Sequence, residues 1–402
     1  MPFDPSTIRL LSPAFYGGDP FPAYAWLRDH SPVHWDEKGR VFGVSRFEDV
    51  IAIEKDPARY SSAQGSRPRI PGDYSMINRD DPQHNDMRRV VSSRFTPRAV
   101  RRHEGAVRKR VTGLIDRVAR EGRAEVVADL AAPLPAMVIN DWLGFPDANW
   151  SSSKRWAEVT MLAGGQHDPE TGEMDFFGVE GAQQALEEFT AAVLELVPKR
   201  RADPRDDLIS AWAHAEVGGK RMTDADIVSE ALLVLNGGAE TTRAVIGATV
   251  VNLARHPEQR AKLVADPSGM AVAVEEFIRF VTPVNNMRRT VAEAHELHGQ
   301  SLEAGAELLL LYGAANRDPR HFSDPDVFDV ERRPNQHLAF GFGTHFCLGA
   351  SVARLEIRVM FEELLRRIPD FELAQGAAPA YVPSVFTRGF GAVPIEFTPE
   401  RG

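Results

Sequence analysis

The sequence predicts a mainly α-helical fold with a minor β portion, carried by a single domain over residues 1–402. Three observations predict it. Between residues 83 and 200 apolar side chains recur at helical spacing, as in Val107, Val111, Leu114, Ile115 and Val118. Thr223, with Asp226 at the capping-box distance, opens a helix that runs to about residue 254, roughly 45–50 Å long at 1.5 Å per residue. Strand-like pieces are short and scattered. No internal repeat or low-complexity linker divides the chain, although length alone would suggest two or three domains.

In chain order, residues 1–20 are rich in Pro and Gly and are expected to lie irregularly on the surface. Residues 22–30 read as a short helix. Residues 33–35 and 41–44 alternate as a small hairpin around Lys38 and Gly39, and 46–56 is helical again. Residues 61–80 carry Ser, Gly, Pro and Arg without a period and predict a long loop, a length usually tied to function. Residues 163–175 interrupt the helical region with a polar, flexible stretch, after which a helix resumes over 182–196. Residues 203–207 form a turn before the long helix. Helices follow at 258–264 and 270–280, a strand at 307–311, and an irregular meander after Asn316. A last helix covers about 348–367, and short strands close the chain.

A net charge of −10 argues against general nucleic-acid binding. The sequence has no run of about 18 apolar residues that would span a membrane. Its start, MPFDP, has neither the basic nor the apolar region of a signal peptide. The single cysteine fits a reducing compartment, so the expectation is a soluble, monomeric, cytoplasmic enzyme without a membrane anchor.

That cysteine, Cys347, sits in residues 340–349, FGFGTHFCLG. It is either a buried small apolar residue or a reactive thiolate. The surroundings favour the thiolate. Gly341, Gly343 and Gly349 allow tight turns and bring backbone N–H groups close to sulfur. Phe340, Phe342 and Phe346 add flat apolar surface. A polarizable anion in an aromatic, water-poor loop suits an iron porphyrin, for which cysteine thiolate is an axial ligand. The long helix carries a second cluster, GGAETT at 237–242. Two adjacent helical glycines cost about 1 kcal/mol each against alanine. They mark either close helix packing or a groove where a flat cofactor meets the backbone, with Thr241 supplying a hydroxyl and Glu240 a proton route.

The pattern of Phe340, Gly343, Cys347 and Gly349 resembles the haem-binding signature of the cytochrome P450 monooxygenases. Residues 237–242 resemble that family's oxygen-activation motif at every position. Glu276 and Arg279, with Arg332 in the meander, look like its Glu-Arg-Arg triad, a buried ionic lock under the cysteine loop; by spacing alone such a pair is weak evidence. His84, Arg88, Arg289 and His345 stand at the family's positions for the two haem propionates. The motifs run in order from about residue 80 to 350, whereas the first 80 and last 50 residues match in texture only.

The resemblance implies haem b buried between the long helix and the cysteine-loop helix, with Cys347 as iron ligand. It implies insertion of one oxygen atom from O2 into a C–H bond of an apolar small molecule, with Glu240 and Thr241 managing protons. Electrons would come from NAD(P)H through a ferredoxin and a ferredoxin reductase, because the chain carries no flavin or nucleotide fingerprint. A peroxide-driven haem-thiolate peroxygenase usually lacks the acid–alcohol pair, a haem sensor without turnover would not need it, and a cysteine hydrolase fits the loop less well.

By the same resemblance, Leu233, Asn236, Gly237 and Val284 line the distal cavity, and residues 64–80, 160–190, Val385 and Phe386 close it, with Asn236, Asn285 and Asn286 as polar anchors. The motifs look closest to bacterial steroid side-chain hydroxylases of the cholesterol-degrading kind; a macrolide, terpenoid or fatty acid is the alternative substrate. Arg94, Arg98, Arg101, Arg102, Arg354 and Arg358 are expected either to form a positive patch behind the cysteine for an acidic ferredoxin or to be ordinary solvated helix surface.

Overall fold

The computed structural model describes residues 3–70, 72–168 and 171–401. Met1, Pro2, Pro71, Pro169, Glu170 and Gly402 lie outside the described residues, and with them the corresponding parts of the expected N-terminal, 61–80 and 163–175 segments.

The long helix forms as the capping box predicts. It spans Asp224–Arg255, 32 residues, with the Thr223 side chain accepting from the Asp226 N–H and the Asp226 carboxylate accepting from the Thr223 N–H. At 1.5 Å per residue it is about 48 Å long. Its middle is buried nearly all round: Ile246, Val250, Val251 and Leu253 are fully inaccessible to solvent. Such a helix is a core element rather than a surface one. Around it pack α1 (Pro133–Leu143), α2 (Trp150–Ala163), α3 (Ala182–Ala202), α4 (Met270–Val281) and α5 (Ala350–Arg367).

Helix α3 runs six residues past its expected end, through Pro198. Proline removes one helical hydrogen bond and costs about 3 kcal/mol in an isolated helix. Here Val193, Leu196, Val197 and Arg200 are all buried, and that burial carries the helix through.

The β portion is a five-stranded sheet. Its spatial order is β1 (Val33–Asp36), β2 (Val41–Val44), β5 (Glu307–Leu311), β4 (Asn286–Val291) and β3 (Tyr60–Ser61). The predicted hairpin supplies β1 and β2; β5 then joins β2 in parallel, opposing Leu309 to Gly43. A smaller sheet joins Arg123–Glu125, Pro394–Glu396 and Glu372–Leu373.

The N-terminal expectation is corrected. Among the described residues the segment 3–20 is not purely a surface stretch: Ile8, Leu10, Leu11 and Tyr16 are at most 3% exposed and pack with Val41, Leu309, Leu311 and Val385, while residues 4–7 stay exposed. Leu10 presses so closely on β2 that a Cβ at Gly43 would fall 2.6 Å from its Cδ1. The Pro and Gly content reflects short turns between buried apolar residues, not exposure.

The Glu276–Arg279–Arg332 cluster is an enclosed ionic lock. Arg279 makes two 2.7 Å bonds to the Glu276 carboxylate, and Arg332 Nε donates to it at 3.1 Å. Glu276 and Arg279 are fully buried. The remaining guanidinium N–H groups end on meander carbonyls of Asn316, Pro325, Ser323 and Asp324. A buried charge needs this degree of satisfaction, and the result ties the meander to helix α4.

Candidate active site

The loop from Phe340 to Cys347 is closed by the Cys347 N–H donating to the Phe340 carbonyl at 2.9 Å. Gly343 has φ of 65°, and a Cβ there would strike the Glu54 carbonyl oxygen at 2.4 Å, so glycine is required twice over. Cys347 is half-buried and lines a cavity. Burial pushes its thiol up from the ordinary range; the Gly349 and Ala350 N–H groups, with Arg88 and Arg354, oppose that push. Metal coordination would resolve this opposition, because a coordinating thiol is deprotonated outright.

The cavity, about 550 Å³, lies between the cysteine loop and the middle of the long helix. From the helix side come Gly237, Gly238, Thr241 and Thr242; from the loop side, Phe340, Cys347, Leu348 and Gly349. The two helical glycines have different jobs. A Cβ at Gly238 would come within 2.9 Å of Cδ1 of Ile139 on α1, whereas one at Gly237 would meet nothing within 4 Å. Close helix packing therefore accounts for Gly238, and the open groove for Gly237. Thr241 Oγ1 donates to the Gly237 carbonyl at 2.8 Å. Glu240 does not line the cavity. It is buried behind it with Arg243 Nη1 at 2.6 Å, and Glu158 and Lys154 of α2 lie beyond. Burial raises its carboxyl above the usual range, and Arg243 opposes the rise.

His84, Arg88, Arg289 and His345 all reach the cavity. The rings of His84 and His345 are 4.3 Å apart, Arg88 Nη2 donates to the Phe346 carbonyl at 2.6 Å, and Arg289 is 3.3 Å from Glu54 Oε1. Burial, then Arg289, His84 and Arg88, push the His345 imidazole down to about 2, and burial with Arg88 lowers His84. The buried His345 Nε2 has no hydrogen-bond partner. Crowded basic groups with an orphaned ring nitrogen, and with only Glu54 and Asp81 as carboxylates beside them, fit an anionic ligand, which would relieve the crowding. Two propionates on a flat apolar ring have that chemistry, so the residues present fit a haem.

The chain belongs to the cytochrome P450 family. The family model for cytochrome P450 matches residues 175–266 and 270–379. A steroid C26-monooxygenase of Mycolicibacterium smegmatis is 38% identical over 393 residues, covering 98% of this chain and 96% of the relative. A methyl-branched lipid omega-hydroxylase of Mycobacterium tuberculosis is 37% identical over 396 residues, covering 94% and 90%. Among solved structures, Mycobacterium marinum cytochrome P450 CYP268A2 in complex with pseudoionone matches with TM-score 0.88 at 31% identity over 99% of each chain. CYP109E1 of Bacillus megaterium in complex with testosterone matches with TM-score 0.86 at 32% identity, covering 95% of this chain and 98% of that one. As a P450 the protein is an oxygen-incorporating oxidoreductase; its cofactor is haem b, and NAD(P)H serves it indirectly through redox partners. Among the described residues no helix is long and apolar enough to cross a membrane.

Of the expected distal residues, Leu233, Asn236, Gly237, Val284 and Phe386 line the P450 cavity, and both closing segments contribute, the first through Arg67, Ile70 and Met76, the second through Met161, Phe176 and Leu186. Val385 is buried behind Phe386 without lining it. Asn285 and Asn286 are corrected as anchors: they do not line the cavity, and their side-chain amides donate to carbonyls of Ser384 and Val385. Asn236 is itself engaged, accepting from Thr160 Oγ1 at 2.9 Å. Sequence reasoning did not single out Ile139, Trp142, Tyr312 or Arg67, all of which line the cavity.

The expected positive patch is smaller than its sequence suggests. Arg354 is bidentate to Glu275, Arg358 pairs with Glu104 and Glu362 at 2.7 and 2.8 Å, and Arg94 lies 3.4 Å from Asp206. Arg98, Arg101 and Arg102 remain exposed.

Proposed function

We propose that this P450 hydroxylates the side chain of a steroid or a similarly branched apolar lipid, with Cys347 as the thiolate ligand of the haem iron. The observation that carries the reading is that Cys347 and Thr241 reach one cavity from facing elements while His84, Arg88, Arg289 and His345 gather at its edge. The steroid C26-monooxygenase and the methyl-branched lipid omega-hydroxylase among its relatives support the substrate class. We read residues 1–402 as one domain, a cytoplasmic monomer that receives electrons from a ferredoxin and its reductase.

When bound, haem supplies oxygen activation at an iron whose reactivity the thiolate sets. The chain's own residues do the rest. His84, Arg88, Arg289 and His345 would hold the propionates. Gly237 leaves the helix surface open beside it. Leu233, Val284 and Phe386 exclude water and orient the apolar substrate. Thr241, held by the Gly237 carbonyl, presents its oxygen to the cavity and passes a proton there. Glu240 supplies that proton from behind once it exchanges Arg243 for water. The Glu276 lock keeps the cysteine loop in place and touches no reacting atom.

The test is turnover of cholest-4-en-3-one by the haem-loaded enzyme with NAD(P)H, ferredoxin and reductase, alongside terpenoid and straight-chain fatty-acid panels. Side-chain hydroxylated steroid with one added oxygen from O2 is expected. Product formed only with added peroxide would favour a peroxygenase, and turnover confined to terpenoids would overturn the substrate class.

A further inference from the structure

Arg67 lies on the cavity wall in the 61–80 segment, remote in sequence from the basic cluster around His345. Its guanidinium stacks 4.5 Å from the centre of the Phe386 ring, and its Nη2 approaches Met161 Sδ at 3.5 Å. The surroundings are otherwise apolar, with Ile70 and Gly164 beside it. Its basic neighbours are satisfied differently: Arg69 and Arg288 both reach Glu307, at 3.8 and 3.3 Å. Arg67 makes no ion pair among the described residues. Asp73 attracts it through space, but that carboxylate is engaged by the Ser75 N–H and the Asn78 side-chain amide, each at 2.8 Å. A guanidinium in an apolar wall, stacked but unpaired, carries a desolvation cost that only an arriving acceptor offsets.

We infer that Arg67 is a specificity-determining residue that binds a carboxylate on the substrate, so that this P450 takes an acidic lipid, such as a steroid acid or a branched fatty acid. The planar guanidinium matches a carboxylate in a two-bond geometry, and stacking on Phe386 fixes the plane in which that fork lies. The substrate's apolar body then runs along Met161, Leu233 and Val284, leaving its far end towards Cys347 and Thr241. This rests on the reading of the cavity as the substrate site.

The test titrates the haem-loaded enzyme with matched acids and methyl esters, a steroid side-chain acid and a long-chain fatty acid, and reads the Soret shift. Cholest-4-en-3-one serves as the neutral reference. The wild type is expected to bind each acid at least about tenfold more tightly than its ester. Arg67→Met should level acid and ester, read as the ratio of the two affinities within that variant whatever its affinity for cholest-4-en-3-one, and Arg67→Lys should restore part of the acid preference. An acid no tighter than its ester in the wild type, or a preference that survives Arg67→Met, overturns the inference. Failure of every ligand, neutral ones included, would instead count against the cavity as the substrate site. The carbon monoxide spectrum of each variant establishes that its haem pocket is intact.

Discussion

Thr241 and Gly237 are tied one helical turn apart, the threonine hydroxyl donating to the glycine carbonyl at 2.8 Å where both face the cavity. Replacing Thr241 with alanine removes this bond, worth about 1 kcal/mol, but substitutes a better helix former, so stability changes little. The loss falls on the chemistry. NAD(P)H oxidation should continue while the product-to-NAD(P)H ratio drops roughly tenfold or more and hydrogen peroxide accumulates. Glu240→Gln should instead slow oxygen consumption. Wild-type coupling in Thr241→Ala would reduce Thr241 to a packing residue.

The two glycines beside it should respond in opposite ways. Gly237→Ala meets open space and gains helix propensity of up to about 1 kcal/mol. Gly238→Ala must displace Ile139, and overpacking costs ~1–3 kcal/mol. Thermal unfolding should rank Gly237→Ala above Gly238→Ala, while Gly237→Ala weakens ligand-induced Soret shifts by narrowing the cavity.

Glu276→Ala would leave Arg279 and Arg332 buried without their carboxylate. Loss of one partner from a buried ionic cluster costs about 3–5 kcal/mol. The variant should unfold at lower denaturant concentration and retain less haem. A midpoint equal to wild type would show that the meander carbonyls alone hold the two guanidiniums.

Charge reversal should separate docking from structure. Arg102→Glu alters an exposed residue and is expected to slow ferredoxin-supported reduction severalfold at low salt, with the difference vanishing as ionic strength rises. Arg358→Glu sets a new acid against Glu104 and Glu362, and its main effect should be on unfolding. A reduction rate flat in salt and unchanged by Arg102→Glu would exclude steering through this surface.

Glu230, fully buried on the long helix, accepts from the Met76 N–H at 2.5 Å, and burial pushes its carboxyl up to about 8. In the unfolded chain the group ionises near 4.5. The folded state therefore binds the proton more tightly, and its contribution is complete below pH 4.5 and is lost as pH rises towards about 8. Within that window stability should fall by about 1.4 kcal/mol per pH unit from this group. Glu230→Gln keeps an acceptor for Met76 and should flatten the slope. Denaturant midpoints between pH 5 and 9 check it.

The legible parts of this fold were those written locally. The Thr223 capping box announced the long helix, and the apolar run at Glu307–Leu311 announced its strand. The residues around Cys347 and Thr241 were readable as a resemblance because their spacing is short and their types unusual. What the sequence hid is non-local. The parallel pairing of β2 with β5 joins residues more than 260 positions apart, and nothing near Gly43 signals Leu309. Arg67 looked like one basic residue in a polar loop, since its isolation depends on where Phe386, Met161 and Glu307 arrive. Arg354 and Arg358 looked free for the converse reason: Glu275 and Glu104 lie on other helices, and only Glu362, one turn after Arg358, is local.

Ile8, Leu10, Leu11 and Tyr16 pack with Val385, and Arg388 donates to the carbonyls of Tyr16 and Gly18. Residues 8–16 are thus completed by residues 385–388, which are made more than 360 positions later. Until residue 388 has been made, these apolar side chains have no finished surface to cover. Synthesis therefore leaves residues 8–16 exposed to chaperones and to other nascent chains until their closing strap is made. A ribosome stalled shortly before residue 385 is expected to carry a segment around residues 8–16 that is more protease-sensitive than the same segment once Val385 and Arg388 are in place.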